Sequence, residues 1–198
     1  MKKWNLVIDV AKCFNCNCCT LACHDEYYDN EFPGYASGMP KHGQNWISIT
    51  QRETGTVPMV EVSYLPTTCN HCDKPPCLAA ARDGAVVKRD DGIVIIVPEK
   101  ARGQRQIVDA CPYGAVHWNE ERQLPQAWPF DAHLLDKGWK RTRGAQSCPT
   151  RAMQVLHVED DEMKRIVAEE GLEVLHPEYG TAPRVYYRNL KRFRSLFI

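Results

Sequence analysis

The sequence predicts an α+β fold in which short strands and short helices alternate around four cysteine sites, and three observations predict it. The ten cysteines of the 198 residues cluster, with five between Cys13 and Cys23, three between Cys69 and Cys77, and single ones at Cys111 and Cys148, each followed by proline. Short β-rich stretches recur beside those sites, at Leu6–Val10, Val60–Tyr64, Ile93–Val97, Ala115–Trp118 and Met153–Val158. After the last of them the pattern changes to helical spacing, from the acidic start Asp160-Asp161-Glu162 to Gly171.

Composition narrows the class. A 198-residue chain that is 43% hydrophobic can bury a core, as one domain or two small ones. Its 25 basic and 25 acidic residues cancel, so no global field recommends nucleic acid or an anionic membrane. No run of about 18 apolar residues occurs, and the start Met1-Lys2-Lys3-Trp4-Asn5 lacks a long apolar leader, so a cytoplasmic chain is expected. Thiols stay reduced there, which makes metal ligation a better use of ten cysteines than a disulfide scaffold.

In chain order, Leu6–Val10 reads as a strand that delivers the chain to Cys13, and Thr20–His24 suits one or two helical turns. Residues 30–43, rich in Gly and Pro, read as a loop insertion that ends near a strand at Trp46–Thr50. The second cysteine cluster lies between the strands Val60–Tyr64 and Ile93–Val97, the latter following the turn Asp90-Asp91-Gly92. The helix 160–170 is expected to cap the cysteine region. The tail from Arg184 to Ile198 mixes aromatic and basic residues, and is read either as wrapping a partner or as packing on this chain.

Cysteine spacing carries the chemistry. In the bacterial ferredoxin run C-x2-C-x2-C-x3-C-P, three cysteines bind one 4Fe–4S cubane and the fourth reaches across to another. Cys13, Cys16, Cys19 and Cys23 match that run, with His24 in the place of Pro and Cys18 as an extra. Cys69, Cys72 and Cys77 begin a second run, whose fourth position is Ala81. Counting back from Cys111 gives Ile107, Gln104 and Ala101, so only the fourth position of a third run survives. The last run keeps Cys148, with Gly144 four residues before it and Trp128 and Asp131 at its first two ligand positions.

Pairing the runs as nested partners leaves two whole quartets. Cys13, Cys16, Cys19 and Cys148 form the outer one, and Cys69, Cys72, Cys77 and Cys111 the inner one. Cys18 and Cys23 are expected to be non-ligands, and His24 and His71 to be neighbours of the ligands or surface residues. A zinc ribbon needs two cysteine pairs per metal, whereas each quartet here is a triplet plus one distant Cys-Pro, which favours cubanes. No nucleophile–base pair or phosphate loop suggests a catalytic site on this chain.

Four further stretches carry a resemblance: Cys69-Asn-His-Cys-Asp-Lys-Pro-Pro-Cys77 with no fourth cysteine, Asp91-Gly-Ile-Val with Pro98-Glu-Lys, Cys111-Pro-Tyr-Gly-Ala before Trp118-Asn-Glu-Glu, and Glu169-Glu-Gly-Leu-Glu-Val with Pro183-Arg-Val-Tyr-Tyr-Arg-Asn-Leu. From Leu6 to Phe193 the chain resembles the iron–sulfur subunits of the DMSO reductase family of molybdopterin enzymes, and within it those of the hydroxylases and transhydroxylases of phenolic aromatics. The resemblance implies two interleaved ferredoxin-like modules: an outer one of about residues 1–30 plus 123–158, an insertion over about 30–60, an inner one over about 60–122, and a C-terminal helix and partner-binding tail over about 159–198.

It further implies an electron-transfer subunit, without catalytic residues of its own, in a heterodimer with a large catalytic subunit. That partner would carry molybdenum or tungsten on two pterin guanine dinucleotides. The third cluster implied by the resemblance is expected to be missing, since Trp128, Asp131 and Gly144 stand at its ligand positions. Two other readings stay open: a free-standing two-cluster ferredoxin, and the electron-transfer subunit of a dehydroxylase or oxyanion reductase.

Overall fold

The computed structural model describes residues 1–194. Its organising strand is β1 (Lys3–Asp9), whose apolar run is buried because neighbours cover both edges and both faces. Along one edge β1 pairs antiparallel with the strand Met153–Val158, and along the other it runs parallel to Val185–Arg188. Alternation then divides the side chains of β1. Leu6 and Ile8 enter the main core with Tyr27, Trp46, Trp128 and Phe130, whereas Val7 faces a smaller cluster with Met163 and Leu172.

After β1 the chain forms helix α1 (Cys18–Tyr27) and then a long hairpin, β2 (Ile47–Thr56) and β3 (Met59–Thr68), joined by ten residue pairs from Ile47↔Thr68 to Thr56↔Met59. The hairpin outruns the expected strands because the far half of β2 is exposed and polar, with little apolar alternation to mark it. Near its tip Gly55 has φ +87°, and a Cβ there would stand 2.1 Å from the Met59 carbonyl oxygen.

Short elements follow: α2 (Pro76–Ala80), the hairpin β4 (Val86–Lys88) and β5 (Val94–Ile96), α3 (Pro98–Ala101), α4 (Gln106–Asp109), the hairpin β6 (His117–Asn119) and β7 (Leu124–Gln126), α5 (Ala132–Leu135) and α6 (Arg143–Ser147). Strand β5 links the two larger cores, since Ile95 enters the main one while Val94 and Ile96 join Val86, Ile107 and Val116 in a second. The chain closes with β8 (Met153–Val158), α7 (Asp160–Glu170), β9 (Val185–Arg188) and α8 (Lys191–Arg194). Among the described residues no helix is long and apolar enough to cross a membrane.

The insertion over residues 30–43 is tied to the body of the protein. Phe32 stacks on His133 at 3.9 Å, the Tyr35 hydroxyl donates to Asp136 at 2.7 Å, and the Gln126 amide donates to the Ser37 carbonyl at 2.7 Å.

One expectation changes. Helix α7 does not lie over the cysteines but packs on the sheet, against Val7, Leu156, Val158 and Tyr186, because those strand residues offer its apolar stripe a matching surface. Its first residue, Asp160, reaches toward the inner cysteine loop, through Arg184. Of the tail, read either as wrapping a partner or as packing on this chain, the described part packs on it: β9 extends the sheet, Leu190 and Tyr187 are fully buried, and the Tyr187 hydroxyl donates to the Pro66 carbonyl at 3.1 Å. Residues 195–198 of that tail lie outside the described residues.

Met163 is the buried centre of the contact between α7 and the sheet. Met163→Ala should lower unfolding stability by about 2–5 kcal/mol, read as a shifted denaturant midpoint of the anaerobic protein. An unchanged midpoint would mean that α7 does not hold the sheet.

Candidate metal centre

The outer site begins where β1 ends. Asp9 caps the turn Val10–Lys12 by accepting from the Ala11 N–H at 3.1 Å, which leads the chain into Cys13. Asn15 and Asn17 then adopt left-handed backbone, φ 61° and 59°, a conformation that Asn tolerates and that curls the loop so its sulfurs turn inward. Cys19 lies in the first turn of α1. The fourth sulfur comes from Cys148 at the end of α6, which packs against α1 through Gly144. A Cβ on Gly144 would stand 3.4 Å from the Cys19 Cβ and 3.2 Å from Ile47 Cδ1, so the absence of a side chain lets the two helices close.

Cys13, Cys16, Cys19 and Cys148 thereby line one cavity with Phe14, Ile49, Pro66, Thr150, Ala152 and Met153. Burial raises the Cys13 thiol pKa and raises that of Cys19 to about 11. Burial also works against the Cys148 thiolate, but the Thr150 hydroxyl and the N–H groups of Met153, Ala152 and Thr150 outweigh it and hold its pKa below the usual thiol range. The Ala152 N–H lies 3.2 Å from that sulfur. Such donors suit a sulfur that carries negative charge.

The inner site starts at the end of β3. Cys69 and Cys72 bracket His71, whose φ of 45° turns the loop back, and Pro75-Pro76 opens α2, which carries Cys77. Cys111 follows α4 and packs with Cys77 against the second core. Burial raises the thiols of Cys69, Cys72 and Cys77, the last to about 11, and each also feels the charges of other members of the quartet, Cys111 included. The Thr181 hydroxyl hydrogen-bonds the Cys72 sulfur and meets the Tyr113 hydroxyl at 2.6 Å.

His71 is held neutral, its pKa lowered to about 3 by burial first and by Lys88 second. Its Nδ1 accepts from the Val94 N–H at 3.1 Å, which leaves the proton on Nε2. That ring packs edge-on against Trp128 and Phe130. His24 lies apart, against Asn45 at 2.9 Å.

The donor set of each quartet, all thiols with N–H or hydroxyl groups hydrogen-bonded to sulfur, fits a 4Fe–4S cubane.

The positions counted as lost ligands also meet in space. Ala81, Ala101 and Ile107 share the second core, and the Gln104 side chain clamps the N–H and carbonyl of Arg82 at 2.9 and 3.2 Å. On the outer side Cys23 is buried near Asp131, its thiol raised well above the usual value by burial and then by that carboxylate. Asp131 accepts from Tyr27 Oη at 2.7 Å, Trp128 Nε1 at 2.8 Å and the Arg143 N–H at 2.6 Å. Burial nonetheless raises the Asp131 pKa. Cys18 stands at the rim, hydrogen-bonded through its sulfur to Cys16.

The description 4Fe-4S dicluster domain matches residues 60–158, a stretch that contains the whole inner quartet and Cys148 but not Cys13, Cys16 or Cys19. Over its full length the chain is 46% identical to the pyrogallol hydroxytransferase small subunit of Pelobacter acidigallici, covering 73% of that protein. The chain belongs to the 4Fe–4S dicluster family. Within it stand the iron–sulfur subunits of DMSO reductase-family enzymes, and two more of these are similar. The beta subunit of dimethylsulfide dehydrogenase from Rhodovulum sulfidophilum is 37% identical over 75% of this chain and 46% of its own length. A tetrathionate reductase subunit from Salmonella typhimurium is 32% identical over 95% of this chain and 73% of its own.

The Asp131 network was not legible in the cysteine count, because nothing local announces that Tyr27 and Arg143 will converge on it. Asp131→Ala should orphan three buried donors, each costing about 1–3 kcal/mol, and so destabilise the protein by about 3 kcal/mol or more in anaerobic denaturation. A loss below about 1 kcal/mol would show that the network carries little of the fold.

Proposed function

We propose that this chain is an electron-transfer subunit with two 4Fe–4S clusters, one on Cys13, Cys16, Cys19 and Cys148 and one on Cys69, Cys72, Cys77 and Cys111. Its partner is a large catalytic subunit that carries molybdenum or tungsten on two pterin guanine dinucleotides and hydroxylates or transhydroxylates a phenolic aromatic. The observation that carries this reading is the similarity to the pyrogallol hydroxytransferase small subunit, which runs through the whole chain, including the stretch after Val158 that holds no cysteine. In this reading the chain comprises two interleaved ferredoxin-like modules, with the boundaries given above, and works in the cytoplasm.

Each cluster, when bound, supplies one-electron chemistry. The protein's own contribution is placement and insulation. Pro66 of β3 walls the outer cavity, and Cys69 follows just past the end of that strand, about 10 Å further along the chain. The Thr181 hydroxyl, the Ala152 N–H and the other donors to sulfur stabilise negative charge on the ligands. A free-standing ferredoxin is favoured less. Val57 and Met59 at the hairpin tip are 88% and 81% exposed, and apolar surface of that kind suits a fixed partner.

The test is elemental analysis of the complex captured anaerobically through a tag on this chain. About eight irons on this subunit and one molybdenum or tungsten in a large partner are expected. Zinc in place of iron would overturn the reading, and iron without a partner would favour the ferredoxin. Cys148→Ser and Cys111→Ser should each lose one cluster and keep the other, while Cys23→Ala and Cys18→Ala keep both. Loss of a cubane signal in the Cys23 variant, read by electron paramagnetic resonance, would break the ligand pairing.

A further inference from the structure

Two cations, the half-buried Lys88 and the buried Arg184, stand beside the inner quartet. Lys88, at the end of β4, donates its ammonium to the carbonyls of His71 at 2.9 Å and Gly92 at 2.7 Å, and pairs with Asp73 at 2.9 Å. The His71 carbonyl lies between Cys69 and Cys72, and Asp73 directly follows Cys72. Arg184, only 3% exposed, grips both oxygens of Asp73 at 2.6 Å each and also reaches Asn5 at 3.1 Å and Asp160 at 2.9 Å. Asp160 is in turn paired with Lys3 at 2.7 Å.

The formal charges do not cancel. Lys3 and Asp160 offset each other, and Asp73 offsets one of Lys88 and Arg184, so one positive charge remains in excess within this group. The outer cavity is lined beyond the cysteines by the uncharged Phe14, Ile49, Pro66, Thr150, Ala152 and Met153, and the charges grouped around Asp9, beside Cys13, cancel: Lys12 pairs with Asp9 at 3.8 Å, and Arg188 with Asp9 at 3.7 Å and with Glu170. Reduction adds one negative charge to a cluster, and a cation held nearby in a poorly polarisable interior favours that added charge.

We infer that Lys88, fixed by Asp73 and Arg184, sets the reduction potential of the inner cluster above that of the outer one, so that an electron entering this chain comes to rest on Cys69, Cys72, Cys77 and Cys111. The inference rests on the ligand assignment proposed above. The transfer moves one electron from the reduced outer cluster to the oxidised inner one, with no bond made or broken and no proton moved. Lys88 is a positioning residue here: it touches the ligand loop and not the metal.

The experiment is a redox titration of the anaerobic complex followed by electron paramagnetic resonance, with Cys148→Ser used to identify the inner signal. The expected result is an inner midpoint above the outer one in the unaltered protein. Lys88→Gln should lower the inner midpoint, Asp73→Asn should raise it, and Lys88→Arg should hold it near its original value, with the outer midpoint fixed throughout. A residue that merely ordered the loop would not move the potential in opposite directions. Shifts of the same sign, or none, with both signals present would overturn the inference. Should Lys88→Gln lose iron, the Asp73→Asn result decides by the same rule. If the unaltered protein itself lacks the inner signal, the ligand assignment fails instead, and the two failures are told apart.

Discussion

Four thiols must face one interior, and the loop from Cys13 to Cys19 supplies three of them to a cavity whose fourth comes from Cys148, far along the chain. The Asn15 N–H of that loop and the Thr20 N–H just beyond it bond the sulfurs of Cys13 and Cys19. The antiparallel pairing of β1 with β8 and the close seat of α6 on α1 meet that demand for Cys148. On the inner side the second core brings α4 beside α2 and so Cys111 beside Cys77. The sheets can stay small because their task is to bring loop ends together, and β1, buried on both faces, holds the assembly from its centre.

The same scaffold gathers two more sets of positions that hold no full quartet of thiols, and it fills them by different chemistry. Ala81, Ala101 and Ile107 make the inner one hydrocarbon, which needs only volume and close packing. The outer one contains Asp131, whose burial is tolerable because donors from three separate segments converge on it. Trp128 serves both purposes there, bonding Asp131 through its indole N–H while its ring packs against Phe130 and His71.

What was legible in the sequence was local. Cysteine spacing is a geometric statement about a loop, so the lost and retained positions could be counted, and β8 was bounded by a Cys-Pro site on one side and an acidic helix start on the other. Non-local pairing was not legible. The far half of β2 is polar on both faces, which hides its period, and the four residues of β9 are too short to announce a parallel partner at the far end of the chain in β1. The apolar stripe of α7 foretold packing but not against what. Lys88 carried no signal, because a lysine in a short strand reads as solvated surface until the carbonyls around it are seen.

The shared use of β3 has a consequence for timing. One face of its base walls the first cavity, and its last residue adjoins Cys69, while Tyr187 of β9 ties Pro66 from the side. The gap between the two sites is thus spanned by covalent chain under hydrogen-bonded restraint, not by two bodies free to breathe. Tunnelling falls steeply with distance, so in the two-cluster function proposed above a gap held in this way would keep the internal hop uniform from one turnover to the next. Variation in overall rate is thereby left to the surfaces where other proteins arrive and depart.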